Sequence, residues 1–316
     1  MGEFDLIARY FAPLGGADPE VRLGIGDDGA VLAPPAGDEL VVTCDSLVEG
    51  IHLPAGAPAV SWGRRLLAVN LSDLGAMGAT PRWALLALTI PEDDTFWLED
   101  FARGFGERAR EARVALVGGN TTRGPRAATL TLLGTLPPGS ALRRNTGRAG
   151  DLVLVTGVLG AAALGRRLWD RGVRAGRRLE PYLDPDPPWR LGPFLRGRAT
   201  GAIDISDGFL ADLGHLLEAS GTGAEIEIGA LPLAPGLDRV QGGDLELALA
   251  GGDDYELCVT VSEERLGVLT AGARDLGVRL TRVGCLTSEP GLRLSDGGRG
   301  VPTPRVMGHD HFRSVS

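Results

Sequence analysis

The sequence predicts a two-domain protein of mixed α and β structure, of the α+β type. Three observations carry that expectation: short apolar runs of strand length alternate with amphipathic stretches of helical length, a proline–glycine break lies near the middle, and each side of the break holds its own strands and helices. The chain has 316 residues, of which 43% are hydrophobic, enough to supply two cores of ordinary size.

Strands are expected at Leu40–Cys44, Trp83–Leu88, Ala115–Val117, Thr129–Leu133, Leu152–Thr156, Ala202–Ile205, Ala224–Ile228, Tyr255–Val261 and Leu280–Val283. Helices are expected at Phe4–Phe11, Trp62–Met77, Thr95–Ala112, Ala161–Arg171, Trp189–Arg196, Leu210–Ala219 and Glu263–Leu276. Arg174–Pro188 reads as an irregular surface insertion. Pro137-Pro138-Gly139 ends a strand and opens a polar, Arg-rich stretch, so the domains are expected at 1–138 and 139–316.

Formal charge is −9, and the 32 basic residues are all Arg. A net-negative surface repels phosphate backbones, which argues against a nucleic-acid partner. Without Lys there is no Walker-type phosphate loop and no Schiff-base chemistry. Cys44, Cys258 and Cys285 are odd in number and lack ligand spacing, so they read as reduced thiols of a cytoplasmic protein. Residues Met1–Leu14 carry charges and no continuous apolar core, unlike a signal peptide. The most apolar stretch, Leu152–Leu164, is too short and too glycine-broken for a bilayer, which needs about 20 residues. No membrane partner is expected.

Five clusters share one chemistry. In Gly24-Ile25-Gly26-Asp27-Asp28-Gly29-Ala30 the paired Asp can point carboxylates at a hard cation such as Mg²⁺, although Asp and Gly also make plain surface turns. In Thr43-Cys44-Asp45-Ser46, Asp45 is expected just past a buried strand, with Thr43 and Ser46 as further oxygen ligands. His52 follows as an anion or aromatic contact, or as an ordinary surface residue. Asp73 sits on the otherwise apolar, small-residue helix around Asn70–Ala79. A buried carboxylate there needs a cation or donors, with Arg65 as the plainer partner. Val117-Gly118-Gly119-Asn120 reads as a strand end entering a glycine turn whose amides can cradle phosphate. In Asp204-Ile205-Ser206-Asp207-Gly208, Asp204 and Ser206 share one side of a strand, and Ser206 or Asp207 fits equally as a helix N-cap. Gly251-Gly252-Asp253-Asp254-Tyr255-Glu256 is a related run. So many carboxylates repel one another unless Mg²⁺ neutralises them, which favours a multi-metal phosphate site.

Taken in order, these clusters resemble the thiamine-monophosphate kinase family. The resemblance begins at Gly2-Glu3-Phe4-Asp5-Leu6-Ile7 and runs through Arg144–Asp151, Val155-Thr156-Gly157 and Gly251–Leu257 to His309-Asp310-His311-Phe312. It implies several Mg²⁺ ions held at Asp28, Thr43, Asp45, Asp73, Asp204 and Asp207, with Asp27, Cys44 and Asn120 completing the candidate set. It implies ATP contacts at Gly119, Asn120, Arg144 and Ser206, and substrate contacts at His52, Asp253 and Phe312. Two α/β domains are implied, the N-terminal one pairing in a homodimer through a barrel-like sheet interface. The implied reaction is in-line transfer of the ATP γ-phosphoryl group to thiamine monophosphate, giving thiamine diphosphate. An anionic phosphate acceptor needs no general base. The chain departs from the family pattern at Asn120, where Asp is usual, and at Asp253, where Glu is usual. Other expectations compatible with the clusters are a different ATP-using synthetase of the same superfamily, a degenerate nucleotide binder and a two-metal phosphatase.

Overall fold

A computed structural model describes residues 3–16, 18–91, 94–238, 244–304 and 307–309. The chain forms two compact units, one made of Met1–Leu74 with Ala79–Gly139 and the other of Gly75–Gly78 with Ser140–Ser316.

The first unit begins with α1 (Glu3–Leu6), which runs into a π-helical turn over Ile7–Phe11, where one continuous α-helix was expected. A short pair follows, β1 (Val21–Leu23) with β2 (Val31–Leu32). The sequence did not announce it, because each strand is too short to show alternation. Then come β3 (Glu39–Val48), α2 (Ala59–Ala76), β4 (Thr80–Ile90), α3 (Thr95–Ala112), β5 (Ala115–Arg123) and β6 (Ala127–Leu136). The expected ends of α3 are the observed ones: Asp94 caps its start by accepting from Trp97 N, and Arg113 stops it at φ +55. The sheet order is β3-β6-β4-β5, so β3 and β5 are its two edges.

All four strands outrun their apolar runs, because their ladders continue into polar residues. Val42 pairs with Leu133, Asp45 with Leu130 and Val48 with Ala127. Asp45 therefore lies inside β3 and not beyond its end. Likewise β5 continues through the two glycines, and Asn120 pairs with Ala87 of β4, so the expected glycine turn is strand. One face of the sheet is covered by α2, which reaches β3 through the bond from Thr43 Oγ1 to Asn70 Oδ1 (2.9 Å). Where α2 meets α3, glycines allow backbone contact: a Cβ on Gly63 would stand 2.2 Å from Phe101 O, and one on Gly104 2.1 Å from Val60 O. The other face is covered at Trp83 by Val21 and Leu32 of β1 and β2, and is open along β3 and at Leu85. Leu40 is 51% exposed, Val42 58% and Leu85 38%.

The second unit contains β7 (Leu152–Thr156), α4 (Ala161–Asp170), α5 (Glu180–Leu183), α6 (Leu191–Leu195), β8 (Gly201–Ile205), α7 (Phe209–Ser220) and β9 (Gly223–Glu227). It continues with α8 (Asp244–Ala250), β10 (Glu256–Val261), α9 (Leu266–Asp275), β11 (Leu280–Thr287), β12 (Gly291–Asp296) and β13 (Arg299–Val301). Its strands order as β13-β12-β9-β11-β7-β10-β8, antiparallel except for β9 with β12. Alternate residues of β7 feed two cores, one on each face of the sheet. Val153 and Val155 pack with α7 and α8, while Leu152 and Leu154 pack with α6 and α9. A strand covered on both faces reads as a continuous apolar run, which is why β7 was legible.

Three expectations change here. Tyr255 stands outside β10 because its φ is +51. The stretch 174–188 is not irregular surface throughout, since α5 and the turn before it bury Leu179, Tyr182 and Leu183. The Glu263–Leu276 helix begins as a 3₁₀ turn at Glu263–Arg265. Among the described residues, no helix is long and apolar enough to cross a membrane.

Candidate active site

In the first unit, β3 alternates its side chains, and Thr43 and Asp45 face α2. The Asp45 carboxyl hydrogen-bonds to Asp73 of α2; burial raises its proton affinity and the bond to Asp73 opposes that rise. Asn70, fully buried one turn before Asp73, accepts from the Thr43 hydroxyl and donates to Leu66 O (3.1 Å). Two carboxyls in contact, flanked by a hydroxyl and an amide oxygen, form an all-oxygen donor set, the kind that suits Mg²⁺. These residues fit a divalent cation, although among the described residues no three His, Cys, Asp or Glu side chains converge as a metal-holding group. Arg65, the alternative partner for Asp73, is fully buried on the same helix.

The other first-unit candidates lie elsewhere. Asp27 and Asp28 are exposed in the loop joining β1 to β2, where Asp28 N donates to Asp27 Oδ1 (2.9 Å). Cys44 and Asn120 lie on the open face of the sheet, opposite to Asp45. Cys44 Sγ accepts from Thr131 Oγ1 (3.5 Å) there. Asp45 and Asn120 occupy opposite edge strands, three strand spacings apart, which is about 14 Å. One chain therefore does not bring Cys44 or Asn120 to the Asp45–Asp73 pair. Gly119 has φ +149, and a Cβ there would fall 1.8 Å from Leu86 O, so only glycine lets β5 approach β4 this closely. His52 Nδ1 accepts from Val48 N (3.1 Å), which leaves its proton on Nε2.

In the second unit, Asp204 is buried on β8, and Ser206 and Asp207 follow it, half-buried, before α7. Neither of the latter two is the helix cap: Gly208 holds that position and brings no side chain. Its role is taken by Asp212, whose Oδ2 accepts from the backbone N of Ser206, Asp207 and Gly208, each at 3.0 Å. Burial pushes the Asp212 carboxyl up to about 7, with the charges of Asp204 and Asp207 adding and the amides of Gly208 and Asp207 opposing. Arg144 is exposed at the start of a 3₁₀ turn.

Asp253 and Tyr255 both carry positive φ, +64 and +51, an uncommon conformation for side-chain residues that tends to gather at functional sites. Tyr255 OH donates to Asp253 Oδ1 (3.1 Å), Asp253 N to Ser206 O (2.7 Å) and Tyr255 N to Ile205 O (2.8 Å). The Asp253 run is thus tied to the Ser206 turn. Between and beside them, Asp254 accepts from Gly160 N (2.7 Å) and Ala162 N (3.3 Å), capping α4 from a distance in sequence. Glu256 accepts from Thr156 Oγ1 (2.6 Å) and Val158 N (3.4 Å). Burial pushes Asp254 up to about 8 and Glu256 up to about 7. Phe312 lies outside the described residues.

Reading by residue type passed over Asp212, Asp254 and Glu256 as candidates. The signal for Asp212 was available: a carboxylate on an apolar helix is the same anomaly that singled out Asp73. Asp254 and Glu256 belong to the Gly251–Glu256 run, but only the fold shows which amides they hold.

Residues 26–136 match the family described as AIR synthase related protein, N-terminal domain. A thiamine-monophosphate kinase from Escherichia coli (strain K12) is 41% identical over 98% of this chain and 98% of its own. A crystal structure of thiamine-monophosphate kinase from Stenotrophomonas maltophilia K279a is 40% identical, with a TM-score of 0.87, covering 95% of this chain and 98% of that one. The structure of AaThiL complexed with AMPPCP and TMP is 28% identical, with a TM-score of 0.77, covering 98% of this chain and 97% of that one. With identity of this order along nearly its whole length, the chain belongs to the thiamine-monophosphate kinase family and is a kinase.

Proposed function

We propose that this chain uses ATP to phosphorylate thiamine monophosphate to thiamine diphosphate, with Mg²⁺, by direct in-line transfer. The observation that carries the reading is the likeness, over 98% of this chain, to a structure complexed with AMPPCP and TMP. The acceptor phosphate is itself the nucleophile, so the residues need to bind, orient and neutralise rather than to remove a proton. When bound, Mg²⁺ supplies positive charge that lets two polyanions meet.

Asp45 and Asp73, with Thr43, are proposed to hold it in the first unit, and Asp204 and Asp207 in the second. Asp27 and Asp28 are proposed to join them from their exposed loop. Gly119, Arg144 and Ser206 are proposed to contact ATP, and His52, Asp253 and Phe312 to contact the substrate. The proposed domains, 1–138 and 139–316, divide these roles, the first binding metal and ATP and forming the dimer. The homodimer is supported by the open sheet face, since Leu40, Val42 and Leu85 expose apolar surface that a second copy would cover. The cytoplasmic reading is supported by Cys44, Cys258 and Cys285, all free thiols.

The test is turnover of purified protein with ATP, Mg²⁺ and thiamine monophosphate, with products separated by chromatography. Thiamine diphosphate and ADP should appear in equal amounts. Nucleotide binding without turnover would favour the second reading, a degenerate binder, which the neutral Asn120 motivates. Phosphate release without ATP would indicate a phosphatase.

A further inference from the structure

One buried oxygen gathers three consecutive amides at the start of α7. Asp212 is 3% exposed and lies within the first turns of the helix, reaching back to Ser206, Asp207 and Gly208. Successive amides converging in this way form a nest that commonly holds a phosphate or another anion. Here the anion is the helix's own carboxylate. The carbonyls of the same turn are also committed: Ser206 O accepts from Asp253 N (2.7 Å) and Asp207 O from His309 N (2.8 Å). The backbone of Ser206 and Asp207 is therefore tied on both sides, and what the turn has left to offer is two half-buried side chains.

Gly208 explains why the tie comes from inside the helix. Its φ is +128, and a Cβ there would stand 2.9 Å from the backbone of Ala250. No Ser, Thr, Asn or Asp can occupy that cap position, so the orphan amides need another acceptor.

We propose that Asp212 is a positioning residue for phosphoryl transfer. It holds the 206–208 turn so that the Ser206 hydroxyl and the Asp207 carboxylate, rather than the turn's amides, meet the nucleotide and its cation. This rests on the assignment of Ser206 and Asp207 made above.

The experiment compares full-length Asp212→Asn, whose amide oxygen still accepts, with Asp212→Ala, which removes the acceptor. Hydrogen exchange at residues 206–208 is read first, in metal-free protein. Protection should persist in the Asn variant and fall by about tenfold or more in the Ala variant. Kinetics below both melting temperatures follow. The Ala variant should lose about 100-fold in kcat and need several-fold more Mg²⁺, with KM for thiamine monophosphate nearly unchanged, while Asn restores most of kcat.

If Asp212→Ala does not fold, Asp212→Glu, which keeps the charge and displaces the oxygen, should show the same losses. Parental exchange or parental kcat in a folded variant without a well-placed oxygen would overturn the proposal, as would a kcat loss that Asn fails to rescue. The exchange measurement needs no substrate. It therefore decides the positioning role even if the parent proves inactive on thiamine monophosphate, a result that would sink the functional reading instead.

Discussion

Replacing Gly104 with Ala tests the close approach of α2 to α3. A Cβ there would lie 2.1 Å from Val60 O, 2.9 Å from Val60 C and 3.0 Å from Val60 Cα, all rigid backbone. Relief requires the helices to part by about 1 Å, which opens space around Phe101 and Phe105, both fully buried. Overpacking of this kind costs about 1–3 kcal/mol or more, and the helix propensity of Ala returns only about 1 kcal/mol. A net loss of about 2 kcal/mol should lower the melting temperature by about 5–10 °C for a unit of this size. The control is Gly214→Ala in α7, where a Cβ meets nothing within 4 Å and φ is not positive. That change should raise stability by up to about 1 kcal/mol. Calorimetry and denaturant titration on both variants give the signs. Equal stability of Gly104→Ala and the parent would refute the close helix contact.

Stability should also depend on pH through Asp254. Its carboxyl rises from 3.8 to about 8, so between those values the folded chain keeps a proton that the unfolded chain releases. Its contribution is full at the acid end and is lost as pH rises toward 8. The melting temperature should be lower at pH 8 than at pH 5, and Asp254→Asn should reduce that difference without abolishing it, since Glu256 is shifted in the same direction to about 7. An unchanged slope in the variant would contradict the assignment. Asp45→Asn and Asp73→Asn should each lower turnover by about 100-fold or more while leaving the fold intact, because the charge that neutralises phosphate is then held less well. Near-parental rates at saturating Mg²⁺ would exclude both as metal ligands. Val42, 58% exposed on the open face, should tolerate Arg within one chain yet weaken a dimer formed there. Sedimentation of parent and Val42→Arg measures this, and a monomeric parent would remove the dimer proposal.

The sequence determined the class of fold and much of the element order by itself. β7 and β8 are buried along their whole length, so their apolar runs match the strands closely. The expected bounds of α3, Thr95–Ala112, are the observed ones. The ordered carboxylate and glycine clusters were likewise enough to point to the family, because motif order survives in the chain without any geometry. Only the tertiary structure decided which clusters meet. β3 and β5 extend into polar residues because neighbouring strands supply their hydrogen bonds, and no local pattern records that pairing. Whether Asp45 and Cys44 face the same way depends on a two-residue period fixed by the sheet. That Asp45 finds Asp73 while Asn120 sits on the far edge follows from the strand order β3-β6-β4-β5, which is a property of the assembled sheet. Asp212 shows the same limit at shorter range. Its residue type announces a buried charge, but only the folded turn, with Gly208 at φ +128 and three amides turned inward, shows what that charge holds.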